Sequence, residues 1–569
     1  VPGSDFGFVG QAYSPPNSNQ DVQRLVNWFL EVSGDGKSKM PTALLGRPGL
    51  LPIIELDVGA VRGSWVLPGG LQAIAVSGDT AYLITCTVPP TQTAIAQFST
   101  RVIGTLNTNS GQVRIRDNGP GGYAVLVDGL NGYYFRIDGS GSTSFTGTPV
   151  SGNADMAYSG SLNTALVTGS AISGTGIAVG ATITSINIDA GTITMSAVAT
   201  SSPGATTITV TLAEYGVISD PGFEAPSHIA FVDGWLIVNR VGTQAFATSG
   251  PVPYTLIFPV LFFALKDSQS DNLQGLQELN RELWLVGERA SEIWFNSGGA
   301  NFAFQRIPGA APPIGTSAPQ SIAQFGDSLM WLGRTLQGEN IIIQTQQYSW
   351  KRVRQHGVEN QISKYPLVAD ASAYTYEDEG HLFYVLTFPT ADQTWGFDSN
   401  GTWHERLSYN ATTGQFHRER PNCYMNFQNL RLVGDYQSGQ IHHMSRKYYT
   451  DAQDPIVCVR RCPHVWSRED RKRVFNSALQ IEFTAGVGLQ MGQGSNPQVM
   501  LRWSSDAGQN FGNEHWVSIG KVGRTKDRAI WRRLGQAWDR VYEARFSDPV
   551  LRDIVGATLF QLPSETGNA

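Results

Sequence analysis

His228-Ile229-Ala230-Phe231-Val232, then Asp233-Gly234, then Trp235-Leu236-Ile237-Val238-Asn239: this stretch decides the fold. Two runs rich in β-branched and aromatic residues flank an Asp-Gly pair. That pair accepts positive φ at both central positions of a tight hairpin turn, so the stretch reads strand, turn, strand. The same unit recurs along the chain. Arg281 to Gly287 leads to Ser291 to Phe295. Ser321 to Phe325, Gly326-Asp327 and Ser328 to Gly333 repeat it. His381 to Leu386 precedes Thr394 to Asp398 and, after a polar turn, Thr402 to Arg406. Asn429 to Asp435 precedes Gly439 to His442. An apolar strand, a Gly/Asp turn and a Trp-containing strand recurring every ~40–60 residues suit the blades of a β-propeller. No strict Trp-Asp or kelch signature fixes the blade number. A tandem of β-sandwiches is the competing arrangement.

Composition agrees. The 569 residues include 62 Gly and 14 Trp but only 15% charged side chains, which favours short strands and tight turns over amphipathic helices. The chain is long enough to bury a large core without staples. A net charge of −6 argues against a strongly basic nucleic-acid-binding protein, while leaving room for DNA to slide through a weakly charged lumen. No basic region followed by an apolar run opens the sequence, so a soluble protein made in a cytoplasm is expected, without membrane insertion. The longest apolar stretch, Tyr254 to Leu265, contains Pro259 and is too short to span a bilayer.

Before residue 140 the same rhythm holds. Leu71 to Val76, a Ser77-Gly78-Asp79-Thr80 turn and Ala81 to Ile84 form one hairpin; Tyr123 to Val127, Asp128-Gly129 and Tyr133 to Ile137 form another. Between Arg136 and Glu214 the composition changes abruptly. The only charges there are Asp138, Asp155 and Asp189, and Thr192 to Ser196 and Thr206 to Leu212 alternate as strands do. This segment reads as an inserted β domain, against the alternative of a low-complexity loop. From about 455 basic clusters appear: Arg460-Arg461, Arg468, Arg471-Lys472-Arg473, and Lys521 to Arg533. The expected organisation is therefore all-β. Residues 1–144 hold N-terminal strands and the first part of a propeller-like body. Residues 145–213 form the inserted domain, 214–454 the rest of the body, and 455–569 a C-terminal β domain of hairpin arms.

Chemical motifs are sparse. Ser504-x-Asp506-x-Gly508-x-x-Phe511 matches an Asp box, a hairpin turn in which Asp caps backbone N–H groups; it is a folding element. No Gly-x-Ser-x-Gly elbow or His-Glu-x-x-His helix is present. Gly36-Lys37-Ser38 lacks the leading Gly of a phosphate loop, since Glu31 stands there, and Gly119-Pro120-Gly121-Gly122 lacks the Lys-Ser/Thr. Cys86, Cys423, Cys458 and Cys462 are too few for a disulfide framework. Cys458, Cys462, His464 and His442-His443 do not have zinc-finger spacing, so reduced core cysteines are expected and no metal or cofactor. The basic clusters read either as a solvated strand face or as a docking surface.

The two ends carry a family resemblance. Near the start, Gln23-Arg24-x-x-Asn27-Trp28 opens a strand, a basic turn follows, and Ala43-Leu44-Leu45-Gly46-Arg47-Pro48-Gly49-Leu50 closes it. Near the finish stands Ile530-Trp531-Arg532-Arg533-Leu534-Gly535. Together these resemble the tail hub or nozzle proteins of short-tailed phages, also called packaged-DNA stabilisation proteins. Where that family often has a Tyr-Pro-Glu-like segment, this chain has Trp28-Phe29-Leu30-Glu31. The resemblance implies a virion protein with no enzymatic activity. It implies a ring of six below the portal and its adaptor ring, continuing the DNA channel without sequence specificity and holding tail fibres or spikes. Gln23, Arg24, Asn27 and Trp28 are expected to fix the opening strand in the body or at a ring interface, and Arg532 and Arg533 to dock a partner. Two other functions compete: a glycan-binding or glycan-hydrolysing propeller, and a tail fibre or receptor-binding protein.

Overall fold

A computed structural model describes residues 3–562 except 14, 16, 18, 34–39, 57–58, 92–95, 120–121, 161, 163–165, 189, 253–255, 300–301, 354 and 468–471. The Gly36-Lys37-Ser38 turn, part of the Gly119 to Gly122 loop, Arg468 and Arg471 lie outside the described residues. Nearly everything described is strand or turn, with one α-helix, His356–Ile362. That helix is far too short to cross a membrane. The chain divides into two compact units. One comprises residues 1–53, 353–420 and 442–569; the other comprises 54–352 and 421–441.

The second unit is a series of antiparallel meanders. The first runs Val61–Val66, Gln72–Ser77, Thr80–Val88 and Gln97–Thr105; the second runs Arg114–Asp117, Tyr123–Val127, Gly132–Arg136 and Tyr215–Val217. A third spans Ile229–Val232 to Phe263–Leu265, a fourth Leu273–Leu279 to Phe304–Arg306, and a fifth Gly315–Thr316 to Ser349–Arg352. Each sheet buries one face against the next. Ile74 and Val76 of the first meet Leu126 and Phe135 of the second; Val125 meets Leu236 and Val238; Ile237 and Phe246 meet Leu283 and Leu285; Trp284 meets Trp331 edge-on at 6.3 Å. Sheets stacked face to face in chain order, with most strands adjacent to their sequence neighbours, are the propeller arrangement that the hairpin rhythm implied; in the fifth, Gly315–Thr316 and Ala323–Phe325 both pair with Ser328–Arg334. At the deciding turn Asp233 and Gly234 have φ of 47° and 90°, as a two-residue hairpin with right-twisted strands demands. The hairpin Pro421–Phe427 and Leu430–Asp435 packs on the first meander, where Asn422 Nδ2 donates to Val61 O at 2.9 Å.

Between the third and fourth strands of the second meander, the chain leaves to build a separate six-stranded sheet. Its order is Ala171–Ser173, Thr206–Leu212, Gly141–Thr148, Asp155–Ser159, Thr192–Met195, Ile183–Asn187. Along Thr206–Leu212 the side chains of Ile208, Val210 and Leu212 are buried, while Thr207, Thr209 and Thr211 are exposed. The buried residues form their own core, which Ile257 joins as the one contributor from outside the segment among the described residues. The host sheet closes beneath it: Phe135 pairs with Tyr215, and Arg136 N donates to Glu214 O at 2.7 Å. Replacing residues 138–213 with a short flexible linker is therefore expected to leave the parent unit folded. Its melting temperature should shift by only a few degrees, as for about 1 kcal/mol in a large chain; loss of cooperative melting would contradict this.

The first unit holds a further meander, Ser372–Asp378, His381–Phe388, Gln393–Asp398 and Thr402–Glu405. It continues through Arg24–Val26, Cys458–Arg461, Asp539–Phe546, Gln498–Ser504 and His515–Ser518. A second sheet runs Trp28–Val32, Thr42–Gly46, Ile554–Leu562, Val474–Phe483, Ala529–Ala537. The two sheets enclose a core that includes Phe8, Trp28, Leu479, Trp531, Tyr542 and Phe546. The C-terminal hairpins thus pack as a β-sandwich.

Candidate functional site

Strands Arg24–Val26 and Trp28–Val32 lie in different sheets of this sandwich, and Asn27 is the corner between them. Its φ is 59°, a left-handed conformation that asparagine tolerates better than most side chains. Every polar group of this fully buried residue is used. Nδ2 donates to Leu407 O and Val457 O, both at 2.8 Å, and Oδ1 accepts from Arg47 Nε and Leu407 N, both at 2.9 Å. The backbone N donates to Glu405 O, and the backbone O accepts from Arg47 N, each at 2.9 Å. Next to it Trp28 Nε1 donates to Arg552 O at 2.9 Å, and Arg552 Nη2 donates to Arg47 O at 2.9 Å.

Arg47 extends this corner into a buried ionic network. Its guanidinium lies 3.0 Å from Asp451 and 3.4 Å from Glu419, and Arg406 contacts Glu419 at 2.8 Å. Arg406 also donates to Tyr376 OH at 2.6 Å, and Ser408 donates to Asp451. Burial opposes the Arg406 charge, but Glu419 and the adjacent tyrosines outweigh it and raise its pKa. Two guanidinium groups face two carboxylates, so the network is balanced in charge, which lets buried ions persist; Glu419 Oε2 and Asp451 Oδ1 make no hydrogen bond among the described residues. Sequence reasoning missed these residues. The one available signal was Arg47, a lone charge inside the apolar run Ala43 to Leu50.

The residues singled out in the sequence fall into distinct roles. Asn27 and Trp28 are both 0% exposed; they fix the opening strand within the body and present no surface to a partner. Gln23 Oε1 accepts from Arg460 Nη2 at 2.8 Å, and Arg24 forks onto Glu405 at 2.8 and 2.6 Å. Arg532 and Arg533 are exposed, on the edge strand Ala529–Ala537, with Arg533 at φ 60° beside a register shift. A bulge of this kind turns two successive side chains outward, and paired arginines also blunt a sheet edge against stray pairing. No hydrogen bond among the described residues joins them to the Asn27 corner, although Trp531 and Leu534, which flank them, reach the same core as Trp28.

Other sequence signals resolve as framework. Arg460 is buried and donates to the carbonyls of Phe8, Gly7 and Gln11; burial pushes its pKa down to about 10. Cys458 Sγ faces Asn27 O, and Cys462 Sγ accepts from Tyr542 N at 3.2 Å. Burial pushes these thiols up to about 11 and about 12, so both are protonated at neutral pH. His464 instead pairs with Asp539 at 2.6 Å, and no metal-holding group of His, Cys, Asp and Glu occurs among the described residues. In the Asp box, Asp506 Oδ1 accepts from Asn510 N at 2.9 Å, and Gly508 N donates to Ser504 Oγ at 3.0 Å. The bond from Asn510 N leads several that draw the Asp506 pKa down to about 2.

One titratable clamp holds the opening strand from the side. His381 Nδ1 lies 2.7 Å from Asp398, which is fully buried, and Nε2 lies 2.6 Å from Glu31. Phe29 packs edge-on against the imidazole at 5.1 Å. The hydrogen bond to Asp398 is the main cause of a raised His381 pKa; desolvation opposes it and Glu31 adds to it. A raised histidine pKa means that the clamp contributes fully below the unfolded value, about 6.5, and is lost as pH rises through the folded value. Denaturation followed from pH 5 to 9 should show this decline. His381→Gln should flatten it and cost about 2 kcal/mol at pH 5, as for hydrogen bonds to a charged group; an unchanged pH profile would remove the clamp from consideration.

The architecture is thus a set of propeller meanders with a C-terminal β-sandwich whose opening strand is held by buried polar networks. Two family models match it: "Bacteriophage P22 Gp10, beta-propeller" over residues 152–449 and "Bacteriophage P22 Gp10, beta-sandwich" over 462–559. The chain belongs to the bacteriophage P22 Gp10 family, structural tail proteins of short-tailed phages and hence components of the virion. The matched segments begin inside the inserted sheet and do not include the opening fifty residues. No curated protein sequence matches. Solved structures with loose likeness include the N-terminal domain of Nup159 (10% identity, TM-score 0.37, covering 74% of this chain and 100% of that chain). Virginiamycin B lyase from Staphylococcus aureus is another (11%, 0.35, 70% and 99%), as is the Neurospora crassa Pan2 WD40 domain (8%, 0.31, 69% and 97%). Scores at this level carry no functional weight.

Proposed function

We propose that this tail protein is the hub or nozzle: a ring, six copies in the expected form, below the portal and adaptor. It continues the DNA channel, helps to retain packaged DNA and anchors tail fibres or spikes. The supporting observation is the family match across both propeller and sandwich. The physics is compatible. Propeller sheets have few free edges and make a stiff wedge, and heterologous contacts between identical wedges close into rings when the rotation permits. Guiding and retaining DNA requires no catalytic residue. A net charge of −6 suits weak, sequence-independent contact with passing duplex. Synthesis in the host cytoplasm precedes incorporation into the particle. The exposed Arg532 and Arg533 supply a basic docking point for an acidic partner ring.

Negative-stain imaging of the purified protein, alone and mixed with portal and adaptor, tests this. The expected result is a ring with a central opening about as wide as duplex DNA, roughly 20 Å by its groove dimensions. Arg532→Glu with Arg533→Glu should block docking without lowering the melting temperature. A persistently monomeric protein that cleaves glycan would overturn the reading.

A further inference from the structure

The strand register sets a row of charged residues across one face of the sheet that carries Arg24–Val26. Arg24 lies opposite Arg461, Arg461 opposite Glu543, and Glu543 opposite Arg502. Directly opposed residues share a face. Glu405 closes the row at the Arg24 end. Glu543, only 2% exposed, holds both of its neighbours: Oε2 accepts from Arg461 Nε and Nη2 at 2.9 and 2.7 Å, and Oε1 accepts from Arg502 Nε and Nη2 at 2.8 and 2.5 Å.

Three guanidinium groups thus share two carboxylates, which leaves one positive charge in excess. The excess falls where Arg24 and Arg461 oppose each other; Glu543 also attracts Arg24, but its hydrogen bonds go to Arg461 and Arg502. Like charges placed directly opposite in a ladder destabilise it. Each arginine spends Nε and Nη2 on its carboxylate, and the Nη1 groups have no partner among the described residues. The three side chains are 34%, 22% and 27% exposed, so the row is recessed yet reachable from solvent. Its geometry is also fixed in advance. The Phe511 ring centroid lies 4.7 Å from the Arg461 guanidinium carbon and 4.8 Å from that of Arg502, and the Asp box sets where Phe511 leaves the turn. Stacked guanidinium groups lose less freedom when they bind.

We infer that the space between Arg24 and Arg461 receives a side-chain carboxylate from an acidic segment of a partner protein. Charge complementarity selects this occupant. A carboxylate accepts one N–H from each arginine and cancels the excess charge. A nucleic-acid strand fits poorly: its phosphates recur along the whole strand, and would run over Glu405 and Glu543 in the same row. The inference rests on the row alone and would hold for a chain that forms no ring.

Calorimetric titration with a hexaglutamate peptide tests it. The full chain should bind at one saturable site that weakens with added salt. Arg461→Gln and Arg24→Gln should each weaken binding about tenfold or more, as for a lost charge-assisted hydrogen bond. Arg24→Lys, which keeps the charge, should weaken it less. Lys521→Gln with Lys526→Gln, exposed cations elsewhere in the same unit, should leave it unchanged. If Arg461→Gln lowers the melting temperature, Arg24→Gln is the deciding variant, because Glu543 then keeps both of its partners. Absence of saturable binding, equal loss in the lysine variant, or displacement of the peptide by a short DNA duplex of equal charge would overturn the assignment.

Discussion

Asn27→Ala is expected to destabilise the sandwich by about 4 kcal/mol, read as a shift in the urea midpoint at unchanged slope. The alanine would leave Leu407 N, Arg47 Nε and Val457 O without the partner that each now has. Each buried polar group so orphaned costs about 1–3 kcal/mol. Alanine would also occupy φ 59° without the local hydrogen bonding that helps asparagine there. Asn27→Gly separates the two effects. Glycine accepts the backbone angle but loses the same bonds, so it should be about 1 kcal/mol less damaging than alanine. A loss below about 1 kcal/mol for alanine would show that water or relaxation satisfies the corner, and the anchoring role would fall.

Arg47→Met is expected to cost about 3–5 kcal/mol, the usual penalty for removing one side of a buried ion pair. Methionine fills much of the arginine volume, but of the two guanidinium groups only Arg406 would remain, and of the two carboxylates it pairs with Glu419 and not Asp451. The variant carries a distinctive pH signature. An uncompensated buried carboxylate has a raised pKa and is relieved by protonation, so the deficit should shrink as pH falls toward 5. Because Arg47 donates to Asn27, the double variant should lose less than the sum of the single losses. Full additivity would mean that corner and ionic network act separately.

Much of the architecture was legible because propeller strands are local. His228 to Asn239 contains both strands and the turn that joins them, and period-two alternation in Thr206 to Leu212 is visible without any partner. Turns lacking glycine were harder. Asn280-Arg281 and Gln428-Asn429 adopt left-handed φ at both positions, and neither pair stands out in a sequence read for Gly and Pro. The anchoring site was legible only in part. Gln23, Arg24, Asn27 and Trp28 stand out as a polar-aromatic string, but their partners come from the 400s and 500s of the chain, and no local pattern pairs Asn27 with Val457 or Trp28 with Arg552. The charges of the C-terminal segment look alike in sequence, yet Arg460 is buried and Arg533 exposed. Only strand register and a bulge distinguish them.

The Asn27 corner also sets a timetable. Its side-chain partners lie 380 and 430 positions later in the chain, and the partner of Trp28 lies 524 positions later. At about 5–20 residues per second, roughly 25–100 s of synthesis separate Trp28 from the carbonyl it binds. Through that interval the meanders between them can form from contacts already made, while residues 24–47 wait with unfilled hydrogen bonds. The sandwich can close only after the residues around Arg552 leave the ribosome. Synthesis through Arg552 thereby becomes a condition for a finished sandwich, and a chain terminated earlier lacks the carbonyl that Trp28 binds.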